Sequence, residues 1–172
     1  AGSFQSSSNG GMEVYVIKLD SAGQRIFSTY MGASGTDDAL GVCTDNSNNI
    51  YVSGHTNSGL FYTSPGAFQP VKSAGNDGYC FSLSPSGTMQ WSTFIGGGSQ
   101  DFMSRMHINN NKELVLLLNS QSINFPMLGV GNTTINAGGI DAVVVKFLTN
   151  GSPFWSGYLG GSASDIPYDL VS

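Results

Sequence analysis

A ten-residue stretch occurs three times in this chain, and its spacing never slips. Gly23-Gln24-Arg25-Ile26-Phe27-Ser28-Thr29-Tyr30-Met31-Gly32 is followed 64 residues later by Gly87-Thr88-Met89-Gln90-Trp91-Ser92-Thr93-Phe94-Ile95-Gly96. After another 64 residues comes Gly151-Ser152-Pro153-Phe154-Trp155-Ser156-Gly157-Tyr158-Leu159-Gly160. Asp37, Asp101 and Asp165 keep the same period, as do Leu19, Leu83 and Phe147, and Tyr15, Tyr79 and Val143. Self-similarity at a fixed period marks stacked structural units, none of which can bury its apolar surface alone. The fold therefore follows from what one unit becomes.

Each unit reads as short strands joined by turns. Val14 to Leu19 is rich in β-branched and aromatic residues, which favour strands. Asp20-Ser21-Ala22-Gly23 is a turn: Asp accepts local backbone N–H groups and Gly supplies a positive φ. Arg25 to Met31 returns, so the two runs form a hairpin. Ala39 to Asp45 is a third strand, Asp45-Asn46-Ser47-Asn48-Asn49 a turn, and Ile50 to Gly54 a fourth strand. A long connection, 55–76, follows before the pattern restarts at Tyr79–Leu83, Met89–Ile95, Ser104–Ile108 and Leu114–Leu118. After a second connection, 120–139, Ala142–Phe147 and Pro153–Leu159 repeat the hairpin, and Tyr168–Val171 begins another third-type strand.

Val14–Ile17 and Ala142–Val145 do not alternate polar with apolar residues, as strands covered on both faces need not. Four short antiparallel strands per unit, covered on both sides and without helices, describe the blade of a β-propeller. A β-sandwich or β-solenoid is the competing all-β reading. It fits poorly a unit of four strands with one long and three short connections.

Composition narrows the function. The net charge is −5, with only six Lys and Arg, so nucleic-acid binding is not expected. No apolar run approaches the roughly 18 residues of a membrane helix. No basic segment followed by an apolar one opens the chain, so no signal peptide is expected in it, and the chain reads as cut from something longer.

Asp20-Ser-Ala-Gly, Ser28-Thr-Tyr-Met-Gly-Ala-Ser-Gly-Thr-Asp-Asp, Asn49-Ile-Tyr-Val-Ser-Gly-His-Thr-Asn-Ser and Ser64-Pro-Gly-Ala-Phe-Gln resemble the bacterial SBBP-type β-propeller repeat, a relative of NHL-type repeats. The resemblance spans nearly three copies. The second copy drifts at Ser104-Arg105-Met106-His107, and the third has Val130-Gly131-Asn132-Thr133 where Gly-Ala-Phe-Gln is expected. The resemblance implies that the Ala39 strand is innermost. Residues 1–172 then form part of one propeller. Residues 1–35 are the outer hairpin of a preceding blade, 36–99 and 100–163 are complete blades, and 164–172 begin a following one. It also implies a secreted or cell-surface bacterial protein, whose partners are other blades of a longer chain or neighbouring chains. In that topology Cys43 and Cys80 lie two strands apart, about 9.6 Å, beyond disulfide reach.

Asp37, Asp101 and Asp165 are the leading site candidates, because they would ring one face near the axis. Ca²⁺ is the cofactor such a ring suits, and no other cofactor or metal is expected. The simpler reading is that each accepts backbone N–H groups in its own loop. The Asp45–Asn49 cluster lacks the Gly and distal Glu of a calcium loop. His55 and His107 occupy different places in the repeat, with no paired-ligand spacing around them. Gly96-Gly97-Gly98 lacks the glycine spacing and Lys of a phosphate loop, and neither Ser28 nor Ser92 sits at a nucleophile elbow. Phe61, Tyr62 and Phe125, in the long connections, are expected either to stack on sugars or a protein partner, or to pin the connection over the blade edge. The expected function is a non-catalytic interaction or adhesion scaffold for protein or glycan ligands. The alternatives are a segment of a propeller enzyme whose site lies elsewhere, and a structural stalk.

Overall fold

The computed structural model describes residues 3–129 and 135–171; Val130-Gly131-Asn132-Thr133 lies outside them. Ten strands follow one another: β1 (Val14–Leu19), β2 (Arg25–Met31), β3 (Asp37–Thr44), β4 (Ile50–Thr56), β5 (Asp77–Leu83), β6 (Met89–Ile95), β7 (Asp101–Ile108), β8 (Glu113–Ser120), β9 (Asp141–Leu148) and β10 (Pro153–Leu159). No helix occurs among the described residues. The strands make three antiparallel sheets. One is the pair β1-β2; the others are four-stranded, in the orders β3-β4-β5-β6 and β7-β8-β9-β10. The fold is all-β, built of propeller-like blades.

Turn chemistry sets the hairpins as the sequence implies. Asp20 Oδ1 accepts from the N–H groups of Ala22 and Gln24 at 2.9 and 2.8 Å, and Gly23 takes a φ of +77°. Asp45 Oδ1 accepts from Ser47 and Asn49 in the same manner, and Asn109 Oδ1 from Asn111 and Glu113. The residues with positive φ in these last two turns are Asn48 and Lys112. Asp45–Asn49 is thus a hairpin turn, with Asp45 also receiving the Tyr51 hydroxyl at 2.9 Å.

The core lies between the sheets. Val14, Phe27 and Met31 of the two-stranded sheet pack against Val52, Tyr79, Phe81, Leu83 and Phe94. The opposite face of that second sheet, with Tyr51, Cys80, Trp91 and Ile95, packs on Leu114, Leu116, Leu118, Val143, Val145 and Phe147 of the third. All seven residues of β5 are buried, as expected for a central strand covered on both sides. The inner strands β3 and β7 lie against one another. Both thiols are free: Cys43 on β3 is half-buried and Cys80 on β5 buried, with β4 between them. Burial pushes the Cys43 thiol up to about 11 and Cys80 well above its ordinary range.

The structure corrects three sequence-based expectations. The inner strands begin at Asp37 and Asp101 rather than Ala39 and Ser104, and β4 and β8 run on to Thr56 and Ser120. The cause is that Asp37 pairs with Thr56, and Asp101 with Ser120, at the ends of the ladders. Tyr168–Val171 forms no strand, because no ladder partner lies beside it. Finally, β1 is not covered on both faces. Its burial alternates, because the two-stranded sheet has a neighbour on one side only.

Candidate functional site

The repeated aspartates sit where the inner strands begin. Asp37 Oδ2 accepts from Ala33 N–H at 2.9 Å and from the Ser58 hydroxyl at 3.1 Å, while Oδ1 accepts from Thr56 Oγ1. Asp101 repeats the pattern with Gly97 N–H at 2.6 Å, Ser122 Oγ at 2.7 Å and Ser120 Oγ. Asp165 accepts from Gly161 N–H at 2.7 Å. The backbone N–H of each aspartate donates across to the connection before it: Asp37 to Met12 O, Asp101 to Asn76 O and Asp165 to Ile140 O. Asp37 and Asp101 are buried with both carboxylate oxygens engaged, so they are latches for their own loops. Among the described residues, no three His, Cys, Asp or Glu side chains stand together as a metal-ligand set.

A second acidic position keeps the same period and was not singled out from the sequence: Glu13, Asp77 and Asp141. Asp77 Oδ2 accepts from Ser73 N–H at 2.7 Å and Gln69 Nε2 at 3.1 Å, and Gln69 Oε1 accepts from Gly96 N–H at 2.9 Å. Asp141 accepts from Ala137 N–H at 2.8 Å, and Glu13 accepts from Gln5 Nε2 at 2.6 Å. These carboxylates hold the long connections. Strand register places Asp37, Thr56 and Asp77 in one rung, and Asp101, Ser120 and Asp141 in the equivalent rung. The signal for this second position was the 64-residue period itself.

Asp77 and Asp141 are buried, and each leaves Oδ1 without a hydrogen-bond partner. Burial pushes the Asp77 carboxyl up to about 6, opposed by Ser73 N–H and by Lys72. Burial also raises Asp101, against its hydroxyl and backbone donors. An acid whose folded pKa exceeds its unfolded value, near 4, costs the fold nothing while protonated. It opposes folding once ionised. The unfolding free energy should therefore fall as the pH rises from 4 through 6, by an order of 1–3 kcal/mol from Asp77. Urea denaturation at pH 4, 5, 6 and 7 measures this slope, and Asp77→Asn should flatten it. Parallel curves for the two proteins would show that Asp77 ionises without penalty.

Of the candidate aromatics, Phe61 and Phe125 are buried, not displayed. Phe61 meets Tyr79 and Phe94 at ring-centroid distances of 4.5 and 5.9 Å; Phe125 meets Tyr158 edge-to-face at 6.3 Å. They pin the long connections to the sheets, Phe61 over β5 and β6 and Phe125 over β10. Tyr62 alone of the three is exposed, with Phe4 against it at 4.8 Å. The structure does not bring Tyr62 together with the aspartates into one site.

His55 lies on β4 directly opposite Asp38 on β3. Its Nε2 is 3.5 Å from Asp38 Oδ2, and Phe102 meets the ring edge-to-face at 4.9 Å. Burial holds the imidazole below its ordinary pKa, with Asp38 opposing, so it is mostly neutral at pH 7. Its Nδ1 has no hydrogen-bond partner. The pairing is legible only from strand register, since Asp38 and His55 belong to different strands.

Residues 26–62, from β2 through β4 to the first pinning aromatic, match the family model for the SBBP β-propeller repeat. No curated protein matches the chain. The matched segment contains the Asp37 latch and Phe61, whose counterparts Asp101 and Phe125 do the same work one period later. Over residues 26–62 the chain is thus similar to an SBBP-type β-propeller repeat.

Proposed function

We propose that this chain is a non-catalytic β-propeller scaffold of a secreted or surface-anchored bacterial protein, presenting its loops and open sheet faces to protein or glycan partners. The observation that supports this reading most is the use made of its polar residues. Asp37, Asp101, Asp77 and Asp141 are all buried and each accepts from the backbone of its own loop, Asp37 and Asp101 through hydroxyl donors as well, which supports an architectural use of these acids. In the Asp38–His55 pair, the nearest approach to acid–base machinery, burial holds the imidazole below its ordinary pKa, and the Tyr79 hydroxyl beside the pair donates to the Asp38 backbone carbonyl at 2.8 Å rather than to either side chain. No helix of the described residues is long and apolar enough to cross a membrane. Bound ligand would meet the loops, where Tyr62 and Phe4 form the displayed aromatic pair.

The test is binding of the purified chain to a glycan array and to surface-protein extracts, alongside protease shaving of intact producing cells. Release of these residues by shaving, and a ligand lost in Tyr62→Ala, are the expected results. Protection from shaving would overturn the surface reading. Turnover of any substrate, abolished by His55→Ala, would replace the scaffold by an enzyme.

A further inference from the structure

A polar groove of about 520 Å³ crosses the junction between the second and third sheets, on the side of their hairpin turns. One wall is the β3-β4 turn, with Asp45 and Asn49, together with Gln90 and Trp91 at the start of β6. The other is Thr149 and Asn150 of the β9-β10 turn. A second groove, of about 250 Å³, shares Gln90, Trp91 and Asn150 and reaches residues 64–67 of the long connection. Both walls belong to the two complete sheets. Clefts on this scale suit small ligands.

The walls are tied together. Trp91 stacks on Phe147 with an interplanar angle of 13°, and its Nε1 donates to Thr149 O at 2.9 Å. Gly151 lets the turn close on that ring, since a Cβ there would lie 2.7 Å from it. Trp91 is 8% exposed, so the rim of the indole, not its face, opens to the groove. Gln90 Nε2 donates to Asn49 Oδ1 at 3.2 Å, and Gln90 Oε1 accepts from the Ser82 hydroxyl at 2.8 Å. Asn49 Nδ2 donates to Asp45 Oδ2 at 2.9 Å, and Asn150 Oδ1 accepts from Ser152 N–H at 3.0 Å. An amide oxygen has two lone pairs and an amide nitrogen two hydrogens, so each fixed amide keeps capacity for a further bond.

The lining selects among ligands by chemistry. Among the described residues no Lys or Arg lines either groove, and Asp45 is the one charged side chain there, so an anion finds no partner. A peptide strand cannot add to β6, because the long connection already covers that edge: Ser64 N–H donates to Ser92 O at 3.0 Å, and Phe94 N–H to Gln69 O at 3.1 Å. The class that fits is uncharged, donates and accepts hydrogen bonds along its length, and carries C–H groups between its polar ones. We propose that this groove binds a neutral glycan, its hydroxyls on Asn49, Gln90 and Asn150 and its ring C–H groups on the rim of Trp91. This rests on the scaffold reading above and adds the class of one ligand and its place, which does not include Tyr62.

The chain has two tryptophans. Trp155→Phe in the whole chain, checked by circular dichroism, leaves Trp91 as the one indole, so its fluorescence reads this groove. The probes are neutral oligosaccharides of glucose, mannose, galactose and N-acetylglucosamine, with an oligomer of hexuronic acid as the charged counterpart. At least one neutral probe should saturate the signal with a Kd of about 0.1–1 mM, and the hexuronate should not. Asn150→Asp keeps the acceptor for Ser152 N–H but removes the amide donor, and should weaken binding roughly 10-fold; Gln90→Glu should do the same. Tyr62→Ala should leave the response unchanged. No saturation by any probe up to about 10 mM overturns the inference. So does binding that Asn150→Asp and Gln90→Glu both leave intact, or equal binding of the hexuronate. Loss of the response in Tyr62→Ala overturns it too, and would move the glycan to the loop aromatics. Each of these results leaves the scaffold reading to its own tests of surface exposure and protein partners.

Discussion

Asp101→Ala should lower the unfolding free energy by about 3–5 kcal/mol, measured by urea denaturation at pH 7. The carboxylate is buried and receives Gly97 N–H, Ser122 Oγ and Ser120 Oγ. Its removal leaves those donors buried without acceptors, and each unsatisfied donor costs about 1–3 kcal/mol. The loss falls short of the sum because burial also raises the Asp101 pKa, so the charge was held at some cost. Ser122→Ala should cost less, about 1 kcal/mol, because Gly97 N–H and Ser120 keep their acceptor. A loss below 1 kcal/mol for Asp101→Ala would mean that the latch does not hold the fold. Asp101 would then return to consideration as a ligand-binding group.

Phe81→Ala should cost a similar amount, about 3–5 kcal/mol, for a different reason. The ring is fully buried between the first and second sheets and stacks near Tyr79 at 6.0 Å. Truncation removes apolar contact and leaves a cavity that strands on both sides hold open. Ile17→Ala, at the equivalent repeat position but half exposed, should cost less than about 1 kcal/mol in the single chain. The two positions stand one period apart, and only one has a sheet over it. Equal losses at the two positions, in denaturation curves on dilute protein, would show that the first sheet is already covered.

Much of the architecture was legible because it is local or periodic. Asp20 and Asp45 mark their turns through bonds to the next few residues, and those bonds form regardless of what packs above them. The hairpin β1-β2 and its copies were legible from composition, and the family match falls on one of the units that the period had marked. The free thiols of Cys43 and Cys80 follow from strand order, once that order is assumed.

What was misread depends on groups far apart in the chain. The inner strands begin earlier than their apolar residues suggest because Asp37 finds Thr56, and Asp101 finds Ser120, across the ladder. Phe61 and Phe125 were open to two readings, displayed for a partner or pinned over the blade, and only the sheets beneath them, which supply the space that buries both rings, decide for the second. Asp38 and His55 meet only because of the register between β3 and β4.

By itself, the sequence determined the unit: four strands, their turns and a period of 64 residues, all set by dihedral preference and short-range hydrogen bonding. Only the tertiary structure decided which copies of a repeated residue are buried. Tyr15 and Tyr79 are the same residue at the same repeat position, one half exposed and one fully enclosed. Burial belongs to the neighbour across the sheet, and a repeat writes the same face whether or not that neighbour is present.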